Sequence, residues 1–99
     1  MFGLRDNDIE KLHGVFARFP EVEEVVLYGS RAKGNYRANS DIDLAMRGGR
    51  LDGTVAAEVT QALDDLLLPY TVDLSIYHQL TNPDLMEHIG RVGKLFYKK

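Results

Sequence analysis

Apolar residues recur at spacings of three and four near the start of the chain. Ile9, Leu12, Phe16 and Phe19 fall on one face, which predicts a helix over residues 7–19. Asn7 followed by Glu10 reads as a capping box, Asp6 and Asp8 suit the positive end of the helix dipole, and Pro20 stops the helix. The period then changes. Val25-Val26-Leu27-Tyr28 is an unbroken apolar run rich in β-branched residues, which predicts a short strand buried on both faces. Gly29-Ser30 ends that strand. Residues 30–34 leave room for a turn or two of helix, and residues 35–40 are polar loop.

Strict alternation follows over residues 41–46. Asp41, Asp43 and Ala45 point one way, and Ile42, Leu44 and Met46 the other, which predicts a second strand closed by Gly48-Gly49. Residues 52–68 predict a long helix capped by Asp52 and ended by Pro69, with Val55, Val59, Ala62, Leu63, Leu66 and Leu67 as its inner stripe. Residues 70–77 alternate again, with Val72, Leu74 and Ile76 opposite Asp73, Ser75 and Tyr77, and form a third strand. Asn82-Pro83 opens a last helix, with proline at the first helical position. Leu85, Met86, Ile89 and Val92 share one side of it, and Gly93 ends it. Leu95-Phe96-Tyr97 then packs back or extends. The order is αβαβαβα, without repeat, linker or low-complexity segment.

Composition narrows the picture. A chain of 99 residues that is 44% hydrophobic and 27% charged is one compact domain spanning residues 1–99. It has no room for a separate substrate-binding domain, so an enzyme of this size is expected to take part of its substrate site from a partner. The net charge of −3 argues against strong nucleic-acid binding. The absence of cysteine excludes a disulfide framework and a Cys-ligated zinc, and fits a cytoplasmic protein. No apolar run reaches the ~18–20 residues of a membrane span, and the acidic opening MFGLRDNDIE does not resemble a secretory signal. Charge is unevenly spread: Arg31, Lys33, Arg37, Arg47 and Arg50 crowd residues 29–50, where Asp41 and Asp43 are the only acids.

That cationic window holds the candidate chemistry. A strand that ends in Gly-Ser and turns at once into a helix aims backbone N–H groups at one point, which favours a phosphate. Asp41 and Asp43 share one face of a strand, with Cα atoms roughly 6.5–7 Å apart, a spacing that lets both carboxylates reach one hard cation. Asp73, in the same alternating setting, supplies a third carboxylate and allows a second ion. Two Mg²⁺ ions can stabilise both the attacking and the leaving oxygens of an in-line displacement.

Gly29-Ser30-Arg31-Ala32-Lys33-Gly34, a polar loop, then Ser40-Asp41-Ile42-Asp43-Leu44 resembles the nucleotidyltransferase superfamily that includes DNA polymerase β and the aminoglycoside nucleotidyltransferases. The length resembles its minimal branch, the antitoxin partners of HEPN ribonuclease toxins. The resemblance implies that Gly29 and Ser30 hold the triphosphate of ATP or another nucleotide, with Arg31, Lys33, Arg37 and Ser40 around it. It implies that Asp41, Asp43 and Asp73 are the catalytic and metal-binding residues for two Mg²⁺ ions, Asp73 helping to deprotonate the attacking hydroxyl. It also implies a small all-helical HEPN partner in a hetero-oligomer, with AMP transferred to a tyrosine on that toxin. Neutralisation by binding alone, and transfer to a small molecule, remain alternatives. For Gly29, at the end of the first strand, and Asp41, at the start of the second, to meet one ligand, those strands must be antiparallel, and Asp73 joins them if the third strand runs parallel to the second. The helix over residues 52–68 is then a right-handed crossover, in an α+β fold with a three-stranded mixed sheet. Outside the motif, His13, His78 and His88 read as surface or boundary residues, and Tyr36 as a partly buried loop residue.

Overall fold

The two periodicities of the chain resolve into the two faces of one sheet. In the computed structural model, which describes residues 1–99, the elements run α1 (Asp6–Ala17), β1 (Glu24–Tyr28), α2 (Gly29–Lys33), β2 (Ile42–Arg47), α3 (Gly53–Asp64), β3 (Val72–Ile76), a 3-10 turn (Tyr77–Gln79), α4 (Pro83–Val92) and β4 (Lys94–Lys98). The strand order is β3-β2-β1-β4. β1 runs antiparallel to β2, and β2 parallel to β3, the arrangement expected if Gly29, Asp41 and Asp73 are to meet one ligand.

The sheet has four strands, not three. Leu95-Phe96-Tyr97 extends along the outer edge of β1 as an antiparallel β4, with a register shift between Val25 and Val26. Phe96 is buried, and its carbonyl oxygen accepts a hydrogen bond from His13 Nε2 at 2.6 Å. His13, on α1, therefore ties β4 to the body of the domain. Five residues with lysine at both ends carry too little alternation to announce a strand. Pairing with β1 is what makes them one.

Ile42, Leu44 and Met46 of β2, with Val25 and Leu27 of β1 and Ile76 of β3, join Leu12, Val15 and Phe16 of α1 and Val55, Val59, Ala62 and Leu63 of α3 in a single core. The opposite face is only partly covered. There α4 packs through Ile89 against Tyr28 and Ala45, in a small separate cluster. One face of the sheet thus holds the fold together, and the other is left half open.

Two helix starts follow their cap residues. Asp52 Oδ1 accepts the Val55 N–H (2.9 Å), and Asn82 Oδ1 accepts the N–H groups of Asp84 (2.9 Å) and Leu85 (3.3 Å). The first helix departs from expectation. It begins at Asp6, with Arg5 as a cap residue that makes no side-chain bond, so Asn7 lies inside the first turn. The start of α1 is instead favoured electrostatically, by Asp6 and Asp8.

The end of α3 also differs. The helix stops at Asp64, and the N–H groups of Leu66 and Leu67 bond to the carbonyls of Leu63 and Asp64 in a tightened last turn. Leu67 takes a left-handed conformation (φ 54°) and is 88% exposed, so it leaves the inner stripe. A leucine there carries strain that glycine lacks, of about 1 kcal/mol. Leu67→Gly is therefore expected to stabilise the protein by about 0.5–1 kcal/mol, measured by urea denaturation at unchanged m-value. A loss of stability would show that the leucine side chain makes a contact that outweighs the strain.

Candidate active site

Strand register builds the site. Tyr28 lies opposite Asp43, and Asp43 lies opposite Asp73, so the three side chains form one row across β1, β2 and β3. The row is on the half-open face, because Ile42 and Leu44 on either side of Asp43 point into the core. Asp73 is exposed and Asp43 partly buried. Asp41 lies one residue before β2, exposed, beyond the paired ladder. The carboxylates are neighbours, yet no three Asp, Glu, His or Cys side chains stand together at metal-coordinating spacing. Backbone pairing aligns Asp43 with Asp73, but nothing equivalent holds Asp41.

β1 delivers Gly29 directly against this row. Gly29 has φ +75°, and a Cβ at that position would collide with Asp43 Oδ2. Glycine is required twice over, for the left-handed backbone and for the close approach. Helix α2 begins at Gly29, with no side-chain cap from Tyr28, and ends on Gly34 in another left-handed turn. The first N–H groups of a helix have no acceptor within it, which leaves a short row of donors beside Asp43. One of them is taken. The Gly29 N–H donates to Nε2 of His88, on α4, at 3.1 Å. The His88 ring also meets Tyr28 edge to face (6.3 Å between centroids). Sequence reasoning passed over His88, which lies on a helix 59 residues further along the chain. No local signal marks it.

Arg31 corrects an expectation. It does not offset triphosphate charge, because it is buried, 2% exposed, with its guanidinium committed inward. Nε and Nη2 donate to the Ser40 carbonyl (3.2 and 2.9 Å), Nη2 also to Ala38 O (3.5 Å), and Nη1 to Phe2 O (2.9 Å). The rings of Tyr36 and Tyr70 flank it at 5.3 and 5.0 Å. Arg31 thus fastens α2 to the loop that leads into Asp41. Ser40 is tied into the same loop. Its hydroxyl accepts the Arg37 N–H at 2.8 Å, and its own N–H donates to the Arg37 carbonyl (3.0 Å). Lys33 and Arg37 are exposed.

The site is electrostatically crowded. Partial burial raises the Asp43 carboxyl above the ordinary carboxylate range, the charges of Asp73 and Asp41 raise it further, and His88 opposes them only in its protonated form, in which Nε2 cannot accept the Gly29 N–H. Burial also pushes the Tyr28 hydroxyl up, with Asp73 and Asp43 adding to the rise and a bond to Ser75 lowering it.

The sequence profile described as polymerase beta nucleotidyltransferase matches residues 10–99. The chain belongs to that family. Solved structures agree. A toxin–antitoxin complex with AMP-PNP contains a chain 29% identical to this one, with a TM-score of 0.71, the match covering 97% of this chain and 75% of that one. A complex of tri-AMPylated Shewanella oneidensis HEPN toxin with MNT antitoxin matches at 21% identity and a TM-score of 0.69, over 97% and 74% of the two chains. A nucleotidyltransferase-like protein from Sulfolobus solfataricus matches at 22% and 0.58, over 92% and 77%. The last two show the fold alone. No curated protein sequence matches. No helix in this nucleotidyltransferase domain is long and apolar enough to cross a membrane.

Two expectations follow from this geometry. Arg31→Lys keeps the charge but loses the fork of donors and the stacking, and leaves buried carbonyls unpaired; it should cost about 2–3 kcal/mol in chemical denaturation. Because the folded Asp43 carboxyl is raised, its ionisation costs stability. That cost is absent below the unfolded value of about 3.9 and grows as pH rises through the folded value. Metal-free Asp43→Asn should therefore melt above the wild type at pH 7, the gap closing as pH falls toward about 4. A gap that widens on acidification would refute the assignment.

Proposed function

We propose that this nucleotidyltransferase domain transfers AMP from ATP to a hydroxyl, a tyrosine on a small helical HEPN-type toxin, and thereby acts as an antitoxin. The observation that carries the proposal is the row of Asp43 and Asp73 beside the Gly29–Ser30 turn, with Asp41 at its edge. Family membership supports the reaction class. The AMP-PNP of one related complex and the AMPylated HEPN toxin of another support the donor and the acceptor.

The donor chemistry suits Mg²⁺. Asp41, Asp43 and Asp73 are hard oxygen ligands, and a divalent cation drawn to them would relieve the burial and the mutual repulsion that raise the Asp43 carboxyl. Bound there, Mg²⁺ supplies charge neutralisation for the attacking and leaving oxygens. The other tasks belong to the chain. The Ser30 hydroxyl and the amides at the start of α2 hold the β- and γ-phosphates, with Lys33 and Arg37 offsetting their charge. Asp73, exposed at the open edge of β3, takes the proton of the acceptor hydroxyl. The acceptor oxygen forms a bond to the α-phosphorus, the bond from that phosphorus to the β-phosphate bridge oxygen breaks, and pyrophosphate leaves.

The test mixes the protein with ATP, Mg²⁺ and a HEPN-type partner co-expressed with it. The partner should gain one or more AMP masses, and label should pass from α-labelled but not γ-labelled ATP. Asp41→Asn/Asp43→Asn should lower the rate by at least about 100-fold. An unmodified partner at saturating ATP and Mg²⁺ would overturn the proposal. A double variant that still neutralises the toxin would show that binding alone suffices.

A further inference from the structure

The Gly29 turn raises a physical question. Glycine is free to adopt many backbone conformations, so its left-handed state must be selected by something outside it. Asp43 excludes a side chain at Gly29 but does not choose among glycine conformers. Pairing of Tyr28 with β2 fixes one end of the peptide that joins Tyr28 to Gly29. The other end is fixed by the bond from the Gly29 N–H to His88 Nε2.

We infer that His88 is a positioning residue for the nucleotide: by accepting the Gly29 N–H it sets the direction in which the free amides at the start of α2 point. The inference rests on the nucleotidyltransferase reading and adds a residue to it. His88 is well placed to hold one orientation. It projects from α4 next to Ile89, which is buried against Tyr28 and Ala45, and its ring lies edge to face with Tyr28. A backbone N–H can only donate, so Nε2 is the acceptor and the ring proton is on Nδ1. Without this acceptor a half-buried N–H loses its partner and the Tyr28–Gly29 peptide plane, from which α2 starts, loses its anchor. The cost then falls on nucleotide binding, since the cradle must be ordered each time a ligand arrives. The chemical step, carried by the aspartates, is spared.

The experiment compares His88→Phe, which keeps a ring without an acceptor, with His88→Gln, whose side-chain oxygen reaches the Nε2 position. Titration calorimetry with AMP-PNP and Mg²⁺ should show Kd raised about tenfold in His88→Phe, the worth of one hydrogen bond, and within about threefold of wild type in His88→Gln. In the transfer assay, KM for ATP should follow Kd while kcat changes less than about threefold. The Gly29 amide resonance should shift in His88→Phe and return toward its wild-type position in His88→Gln. Unchanged binding in His88→Phe, or equal loss in both variants, overturns the inference. So does an Nε2–H tautomer of His88 in the wild-type protein, read from its imidazole nitrogen resonances, a measurement that needs no variant to fold. A wild type that binds and transfers no nucleotide fails the functional reading itself. A wild type that does both, with His88→Phe indistinguishable from it, fails only the role of His88.

Discussion

The backbone of Gly29 lies against the carboxylate of Asp43, with no space for even a methyl group between them. Much of the molecule is arranged to keep this contact. It requires β1 to end where β2 begins, which antiparallel pairing achieves by setting Tyr28 opposite Asp43. It requires the chain to turn away at once into α2, so that donors at the helix start face the acids at the strand start. A phosphate and a cation have opposite demands, and here one contact brings both kinds of group together.

Two side chains from outside the strands hold the turn. Arg31 leaves α2 toward the interior and binds the carbonyls of Phe2, Ala38 and Ser40, joining the N-terminal segment and the long loop to the helix. Its burial is tolerable because each guanidinium nitrogen finds a carbonyl acceptor and the group is flanked by two tyrosine rings. His88 comes from the other side, on α4, and holds the Gly29 N–H. One clamp shapes the loop that carries Asp41, and the other holds the turn itself. Neither is an acid or a nucleophile, yet the positions of the groups that are depend on both.

The sheet separates stability from chemistry. Its inner face, covered by α1 and α3, contributes most of the buried apolar side chains. The outer face carries a tyrosine and two aspartates in a row, under a single helix and a small apolar cluster. A partly buried carboxylate among like charges works against folding, and the Asp43 carboxyl, raised by burial first and by Asp73 and Asp41 next, expresses that conflict. The core on the far side must offset it. The arrangement is common to sites that bind cations: charges that repel in the free protein become ligands when the ion arrives.

Local chemistry made much of this legible in advance. Alternation in β2 assigned Asp43 and Ile42 to opposite faces, since side chains along a strand have a period of two. The Gly29-Ser30 step marked the turn, and Asp52 and Asn82 marked two helix starts, because caps and turns are satisfied within a few residues. Strand directions followed from the need for Gly29, Asp41 and Asp73 to meet at one place. Other features were decided by groups far apart in the chain. Arg31 read as a free cation beside a phosphate, because nothing near it shows that carbonyls from Phe2 and Ser40 will surround it. His88 read as a surface residue until α4 came down on Gly29. β4 became a strand only when β1 offered it an edge, and Leu67 left the stripe only when the chain had to turn out of α3. The sequence by itself determined which groups line the candidate site, because residue type and period act locally. Tertiary structure alone decided which groups would hold them in place, because a hydrogen-bond partner is chosen by distance in space and not along the chain.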